Sequence, residues 1–371
     1  MKKIFVILLA LLFTACSKPA ANNEAKNEES NGKLNVYASV YPIYDFTKKI
    51  GGDKINLSML TKPGEEPHHY EPSSDDIKNL SKADLFIYNG AGLESFTDKI
   101  IESNPDLKTC QASEGVDLIK ATHDHDHDHD CCENSEDGNH NHDHDCCENS
   151  EDANHNHDHD CCKNSDDANH NHNHENENNH NHEAEENHSS HEEEHHHGMY
   201  DPHTWLSIKN AKIEMENIKN KLSEIDPDNA SYYQKNFDKY AKMCDDLDKE
   251  YSQKISVLPN RVMVVSHQAF GYLCGDYGLS QVPIKNISNE DEPDAQTMAQ
   301  IIDYIKKNNI KYICVEEMTS TKIADTIKAE TGAQIKVLSP VETLTQEQMD
   351  KGEDYFSIME NNLKILEEVL S

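Results

Sequence analysis

Basic residues are scarce in this chain. Its 371 residues include 34 lysines and arginines against 70 aspartates and glutamates, a formal charge of −36. With no basic stripe to neutralise phosphates, this balance argues against nucleic acid as a partner. An apolar run of membrane-spanning length is also missing, because Ile4 to Phe13 is too short to cross a bilayer comfortably. The metalloprotease signature H-E-x-x-H, which places two zinc ligands and a general base on one helix face, is matched only by His191-Glu192-Glu193-Glu194-His195, in a run of acids and histidines with no apolar face to hold a helix against a core. Tryptophan occurs once, at Trp205.

The short apolar run follows Lys2 and Lys3, as in the core of a signal peptide. It ends at Phe13-Thr14-Ala15-Cys16, and small residues before a cysteine resemble the lipobox of bacterial lipoproteins, although Phe13 stands where leucine is usual. That resemblance implies a signal peptide over 1–15 and a lipidated Cys16. It also implies a cell-membrane location on the extracytoplasmic face, with the bilayer touched only through Cys16. Residues 16–32 are polar and aperiodic, as a flexible tether would be.

The acidity is concentrated. Residues 123–197 hold 24 acidic residues against the single Lys163, together with 20 of the 24 histidines. A unit beginning His-Asp-His-Asp-Cys-Cys recurs with its cysteine pairs fifteen residues apart: Cys131 with Cys132, Cys146 with Cys147, and Cys161 with Cys162. No unit has an apolar face to stack, so 122–197 reads as a disordered insertion and not a solenoid. Imidazoles such as His123, His125, His127 and His129, beside the vicinal thiols, suit low-affinity gathering of several metal ions. Of the remaining cysteines, Cys110, Cys244, Cys274 and Cys314 fall in foldable regions, either as buried thiols or as disulfide partners.

Without the insertion, strand and helix signals alternate in two blocks. Residues 34–40, 54–61 and 83–88 read as strands, with helices over 42–50 and 73–82; Ser73 and Asp76 have capping-box spacing. The second block has strands at 261–267, 311–317 and 333–339 and a closing helix near 353–370. Between them lie two amphipathic helices, interrupted at Pro227; the second spans roughly 27 residues, or about 40 Å. The reading is two α/β domains with mostly parallel sheets joined by a long rigid helix. The domains cover 33–225 and 257–371, and the linking helix covers 226–256.

Three histidines sit in or beyond the loops that follow strands. They are His68 in Gly64-Glu65-Glu66-Pro67-His68-His69-Tyr70-Glu71-Pro72, His203 in Asp201-Pro202-His203-Thr204-Trp205, and His267 in Ser266-His267-Gln268-Ala269-Phe270-Gly271-Tyr272-Leu273. Ligands of open α/β sheets bind beyond the carboxyl ends of strands, and imidazoles with one carboxylate suit zinc. G-x-x-P-H-x-Y-E-P, D-P-H-x-W and S-H-x-A-F-G-Y-L in this order resemble the cluster A-I substrate-binding lipoproteins of metal ABC importers, in their zinc-uptake branch. The resemblance runs from about Lys33 to Ser371, outside the insertion.

What the resemblance implies is a metal site in the cleft between the two domains, with His68, His203 and His267 as ligands. Histidine, not glutamate, at 267 favours Zn2+ over manganese as the transported ligand. The family's carboxylate ligand lies after the last strand, where Ser339-Pro340-Val341-Glu342-Thr343-Leu344 matches and Glu342 is the candidate; Glu316, Glu317 or water are alternatives. His-rich loops occur in zinc-type members, but the Cys-Cys pairs depart from that pattern. The implied partner is an ABC permease with its ATPase, served by a monomer that performs no bond chemistry. The rival readings are a zinc hydrolase, an extracellular metal buffer or adhesin, and an importer component for manganese or another divalent metal. Phe270 and Tyr272 read as packing residues and His69 as exposed.

Overall fold

Strand β1 (Leu34–Ala38) opens the first lobe and is followed by α1 (Tyr41–Gly51), β2 (Ile55–Met59), α2 (Ser74–Leu80), β3 (Leu85–Tyr88), α3 (Thr97–Ser103) and β4 (Thr109–Gln111). This computed structural model describes residues 32–121, 199–288, 292–317 and 320–371. The expected signal segment, the lipidation candidate Cys16, nearly all of the tether and the 122–197 insertion lie outside the described residues. So do all the accessory metal candidates of the insertion: His123, His125, His127 and His129, with Cys131, Cys132, Cys146, Cys147, Cys161 and Cys162.

Helix α4 (Ile208–Ile225) and α5 (Ala230–Ser256) come next. The second lobe then runs through β5 (Val262–His267), α6 (Gly271–Tyr277), β6 (Ser280–Lys285), α7 (Ala295–Lys307), β7 (Tyr312–Val315), α8 (Lys322–Thr331) and β8 (Gln334–Val337). Helices α9 (Gln346–Asp350) and α10 (Tyr355–Val369) close the chain. Among the described residues no helix is long and apolar enough to cross a membrane.

Both lobes have the same topology. The sheets are four-stranded and wholly parallel, with orders β2-β1-β3-β4 and β6-β5-β7-β8. Each order reverses direction around its first strand, which opens a crevice beyond the carboxyl ends of the central strands. Phe86 of β3 packs into an outer core with Leu80, Phe96 and Ile100, while Ile313 of β7 does so with Ile284, Ile305 and Ile327. The opposite faces of both sheets share one central core, which is why the strands carry apolar runs and not alternation.

The long helix that joins the two lobes packs against this central core. Helix α5 is 27 residues long, as its periodicity predicts, and it lies along α1, α4, α6 and α10 as a spine common to both lobes. Asn236 Nδ2 donates to the Ile50 carbonyl at 2.9 Å, and the Tyr251 hydroxyl donates to the Met359 carbonyl at 2.6 Å. Its aromatic stripe, including Tyr233, Phe237 and Tyr251, is packing surface. A further tie crosses directly between lobes: Lys49 of α1 bridges Asp45 at 2.9 Å and Asp354, the N-cap of α10, at 2.8 Å.

Local signals hold up to within a few residues. The Ser73–Asp76 capping box forms at the start of α2. The four cysteines of the folded regions, Cys110, Cys244, Cys274 and Cys314, are free and buried, so no disulfide links them. Burial pushes each of these thiols up to about 12, which keeps them protonated and unreactive.

One buried group opposes stability. Glu214 of α4 is fully buried, with the Thr204 hydroxyl nearby but no well-formed hydrogen bond to either carboxylate oxygen. Burial, with Glu94 nearby, pushes its carboxyl up to about 8. A raised carboxyl destabilises progressively as pH rises from the unfolded value of about 4.3 through about 8. Glu214→Gln is therefore expected to flatten this decline and to stabilise at pH 8–9 by on the order of 2–4 kcal/mol. Urea denaturation of both proteins at pH 5 and pH 9 measures the difference.

Candidate metal centre

Four segments converge where the two crevices face each other. His267 is the last residue of β5 and fully buried. His68 lies in the loop after β2; this loop turns at Gly64, whose φ of +79° favours glycine. The loop is anchored by Tyr70, which is buried and donates its hydroxyl to Asp76 at 3.1 Å. His203 enters from the antiparallel bridge Lys120–Tyr200 and precedes a single 3-10 turn, Thr204–Leu206. Glu342 comes from the loop after β8.

The four donor atoms form a compact cluster, all within 4.8 Å of one another. His203 Nε2 lies 3.2 Å from His68 Nε2 and 3.3 Å from His267 Nε2. Glu342 Oε1 lies 2.7 Å from His203 Nε2, 3.3 Å from His267 Nε2 and 3.5 Å from His68 Nε2. A tetrahedral zinc shell with bonds of about 2.0–2.1 Å has ligand–ligand edges of about 3.3 Å. Among the described residues this is the group of His, Cys, Asp and Glu side chains placed to hold a metal ion. Its members are the four that the sequence motifs single out.

The alternative carboxylates have other partners. Glu316, just beyond β7, accepts from the Ser266 hydroxyl at 2.6 Å and pairs through the same oxygen with His267 Nδ1. Glu317 accepts from Gln348 at 2.9 Å. Asp201 plays the matching part for His203, taking Nδ1 at 2.7 Å and the backbone N–H at 3.0 Å. Each carboxylate fixes a ring so that Nε2 points inward. Asp201 could have been suspected from its place two residues before His203. Glu316 was legible only as one of several acids, because its pairing with His267 spans two strands.

The electrostatics follow from these pairings. Burial opposes a charged His203, but Asp201 and Glu342 outweigh it and raise the imidazole to about 9. Burial likewise opposes charge on His267, which Glu316 and Glu342 nevertheless hold well above the ordinary histidine range. Burial alone would raise Glu342, yet His267, His203 and His68 bring it well below the carboxylate range. Beside the cluster opens a cavity of about 120 Å³ whose lining includes Glu66, Glu316, Glu317 and Glu342, an acidic mouth suited to cations.

The Glu342 loop is held under strain. Val341 is fully buried at φ +60°, a left-handed conformation costing a β-branched residue about 1–3 kcal/mol. Asn362 brackets Ser339, accepting from its N–H at 3.0 Å and donating to its carbonyl at 2.7 Å. The Trp205 indole N–H donates to the Pro340 carbonyl at 2.8 Å, and Gly64 N–H donates to Thr343 Oγ1 at 2.9 Å. Tyr272 does more than pack: its hydroxyl donates to the Asp201 carbonyl at 2.9 Å and accepts from Ile119 N–H at 3.2 Å. Asp201→Asn is expected to lower the His203 imidazole by more than about one pH unit, since the neighbouring anion is its main support. An NMR titration of labelled imidazole nitrogens in metal-free protein reads the shift.

Comparison with known proteins agrees with this geometry. The family model "Zinc-uptake complex component A periplasmic" matches residues 36–369. The high-affinity zinc uptake system protein ZnuA of Bacillus subtilis is 35% identical over 370 residues, covering 99% of this chain and 97% of its own. The zinc-binding lipoprotein AdcA of Streptococcus pneumoniae is 32% identical over 373 residues; the match takes in 99% of this chain but 61% of AdcA, so the chain spans less than two thirds of that relative. The crystal structure of the Zn(II)-bound ZnuA-like domain of Streptococcus pneumoniae AdcA superposes with a TM-score of 0.65 at 30% identity, covering 91% of this chain and 99% of that one. The metal-dependent lipoprotein YcdH of Bacillus subtilis gives a TM-score of 0.65 at 31% identity, covering 91% and 100%. With its two parallel-sheet lobes, its facing crevices and a family match over nearly its whole length, the chain belongs to the zinc-uptake complex component A family.

Proposed function

We propose that this protein is the extracytoplasmic substrate-binding component of an ABC importer, capturing Zn2+ and delivering it to a permease driven by its ATPase. The observation that carries the reading is the convergence of His68, His203, His267 and Glu342, whose donor atoms all lie within 4.8 Å of one another, with five of the six separations between 2.7 and 3.5 Å, the compactness a zinc shell needs. Three neutral imidazoles and one carboxylate suit zinc better than manganese, which prefers an oxygen-rich shell. Four protein donors close the shell and leave no position for a catalytic water, which favours carriage of the ion over hydrolysis.

In this reading Cys16 carries the lipid that keeps a monomeric protein at the membrane surface. Residues 16–32 give it reach, and 33–225 and 257–371 form the two lobes on the 226–256 helix. In the 122–197 insertion, the histidines from His123 onward gather metal at low affinity. They do so together with the thiol pairs of Cys131 and Cys132, Cys146 and Cys147, and Cys161 and Cys162.

Removal of residues 122–197 is expected to leave one tight zinc site per chain and to lower the total zinc bound, as read by metal analysis and competition titration. His203→Ala in that shortened chain is expected to weaken the remaining site by more than about a hundredfold. Loss of the tight site on deleting the insertion alone would overturn the division of labour.

Capture must also displace protons. His203, raised to about 9, and His267 are charged at neutral pH, and Zn2+ needs the same Nε2 atoms. Affinity is therefore expected to rise with pH up to about 9 and to fall in acid, by roughly tenfold or more per pH unit near neutrality. Calorimetry in buffers of different ionisation enthalpy counts the protons released; an affinity flat from pH 6 to 8 counts against the imidazole shell.

A further inference from the structure

We infer that Trp205 is a positioning residue whose indole N–H straps the strained Glu342 loop in place and thereby sets the rate at which zinc leaves the site. The inference rests on the reading of Glu342 as a zinc ligand, and it concerns what holds that ligand at the metal.

The indole sits between two donors that come from different lobes. On one side its ring meets the His203 ring edge-on, with centroids 5.6 Å apart. On the other its N–H donates at 2.8 Å to the Pro340 carbonyl, two residues before Glu342. Trp205 is itself immobilised, being fully buried, with its own carbonyl accepting the Tyr355 hydroxyl at 2.8 Å. Between the strap and the ligand stands Val341 at φ +60°. A β-branched residue adopts that conformation only where its surroundings over-determine it.

The restraints on the loop are unevenly spread. Ser339 is bracketed by Asn362 within the second lobe, and Val341 N–H donates to Ser339 Oγ at 3.2 Å. These bonds fix the start of the loop and travel with that lobe. The Trp205 bond to Pro340 and the Gly64 bond to Thr343 come from outside it and flank Val341-Glu342 on either side. Relaxing Val341 toward negative φ would swing the next residue, Glu342, away from the three imidazoles. The indole bond resists this swing from the same turn that carries His203, so the strap and a ligand are built into one rigid unit. Two of the four donors are thus coupled: when the Thr204–Leu206 turn shifts, both His203 and the support of Glu342 shift with it.

The test measures zinc transfer from the full chain, loaded with one equivalent of Zn2+, to a chromogenic chelator. Trp205→Phe keeps an aromatic ring but loses the N–H donor, and is expected to release zinc about five- to tenfold faster. Glycine holds a left-handed conformation without help, so Val341→Gly alone is expected to slow release. In the Trp205→Phe background, Val341→Gly is expected to return the rate to within about twofold of the wild type. Release from Trp205→Phe at the wild-type rate overturns the strap. So does a double variant as fast as Trp205→Phe, because a tryptophan that merely fills space cannot be rescued by removing more packing. Should Trp205→Phe not fold, Val341→Gly alone decides, and unchanged or faster release counts against the inference. Glu342→Ala serves as the separate control. Wild-type release from it would overturn the ligand assignment itself and not the strap.

Discussion

Three imidazole nitrogens and one carboxylate oxygen, delivered by four separate stretches of chain, meet within a few ångströms of one another in a buried space between two lobes. Left to themselves these groups would not stay together. Two of the imidazoles are held in charged form by anions, all are withdrawn from water to different degrees, and the one carboxylate they share is desolvated. Burying such a cluster costs several kcal/mol per ion unless pairing and geometry offset it. Much of the surrounding structure can be understood as supplying that offset.

The supply is organised in tiers. Asp201 and Glu316 each occupy the outer nitrogen of an inward-facing histidine, which fixes both the tautomer and the direction of the ring. Behind them stand groups that hold the holders: Ser266 on Glu316, and Tyr272 on the Asp201 backbone. The carboxylate is positioned differently, by a loop with a left-handed valine that is bonded at Ser339, Pro340 and Thr343 by three different parts of the chain. The shared core, the α5 spine and the Asp45–Lys49–Asp354 bridge then keep the two lobes in the register this arrangement needs. A site assembled from both lobes is only as well placed as the packing between them.

Much of the fold was legible in the sequence because its signals are local. Continuous apolar runs such as 261–267 announced strands covered on both faces, the Ser73–Asp76 spacing announced a helix start, and the periodicity from Tyr233 to Ile255 announced a long helix with one buried face. The three histidines were legible because each sits in a dense motif whose neighbours serve it: Pro67 and Tyr70 shape the His68 loop, Asp201 pairs with His203, and Ser266 supports the carboxylate behind His267. Less was legible where a role depends on a distant partner. Glu316, Glu317 and Glu342 could not be ranked by chemistry alone, since all are acids near strand ends. What separates them is that Glu317 pairs with Gln348, Glu316 turns to His267 Nδ1, and Glu342 alone brings an oxygen to the Nε2 atoms.

The sequence by itself determined the alternation of strands and helices, the identity of three imidazoles and the chemical class of ion they suit. These follow from residue type and short-range spacing, which hydrophobic periodicity and ligand softness translate directly. Only the tertiary structure decided which carboxylate stands beside the three Nε2 atoms, which carboxylates stand behind the histidines, and which contacts flank Val341-Glu342. Each of these is a contact between residues tens to hundreds of positions apart, such as Trp205 with Pro340 or Gly64 with Thr343. Such contacts are set by how two lobes pack around a common spine. That packing is a property of summed buried surfaces, and no single motif records it.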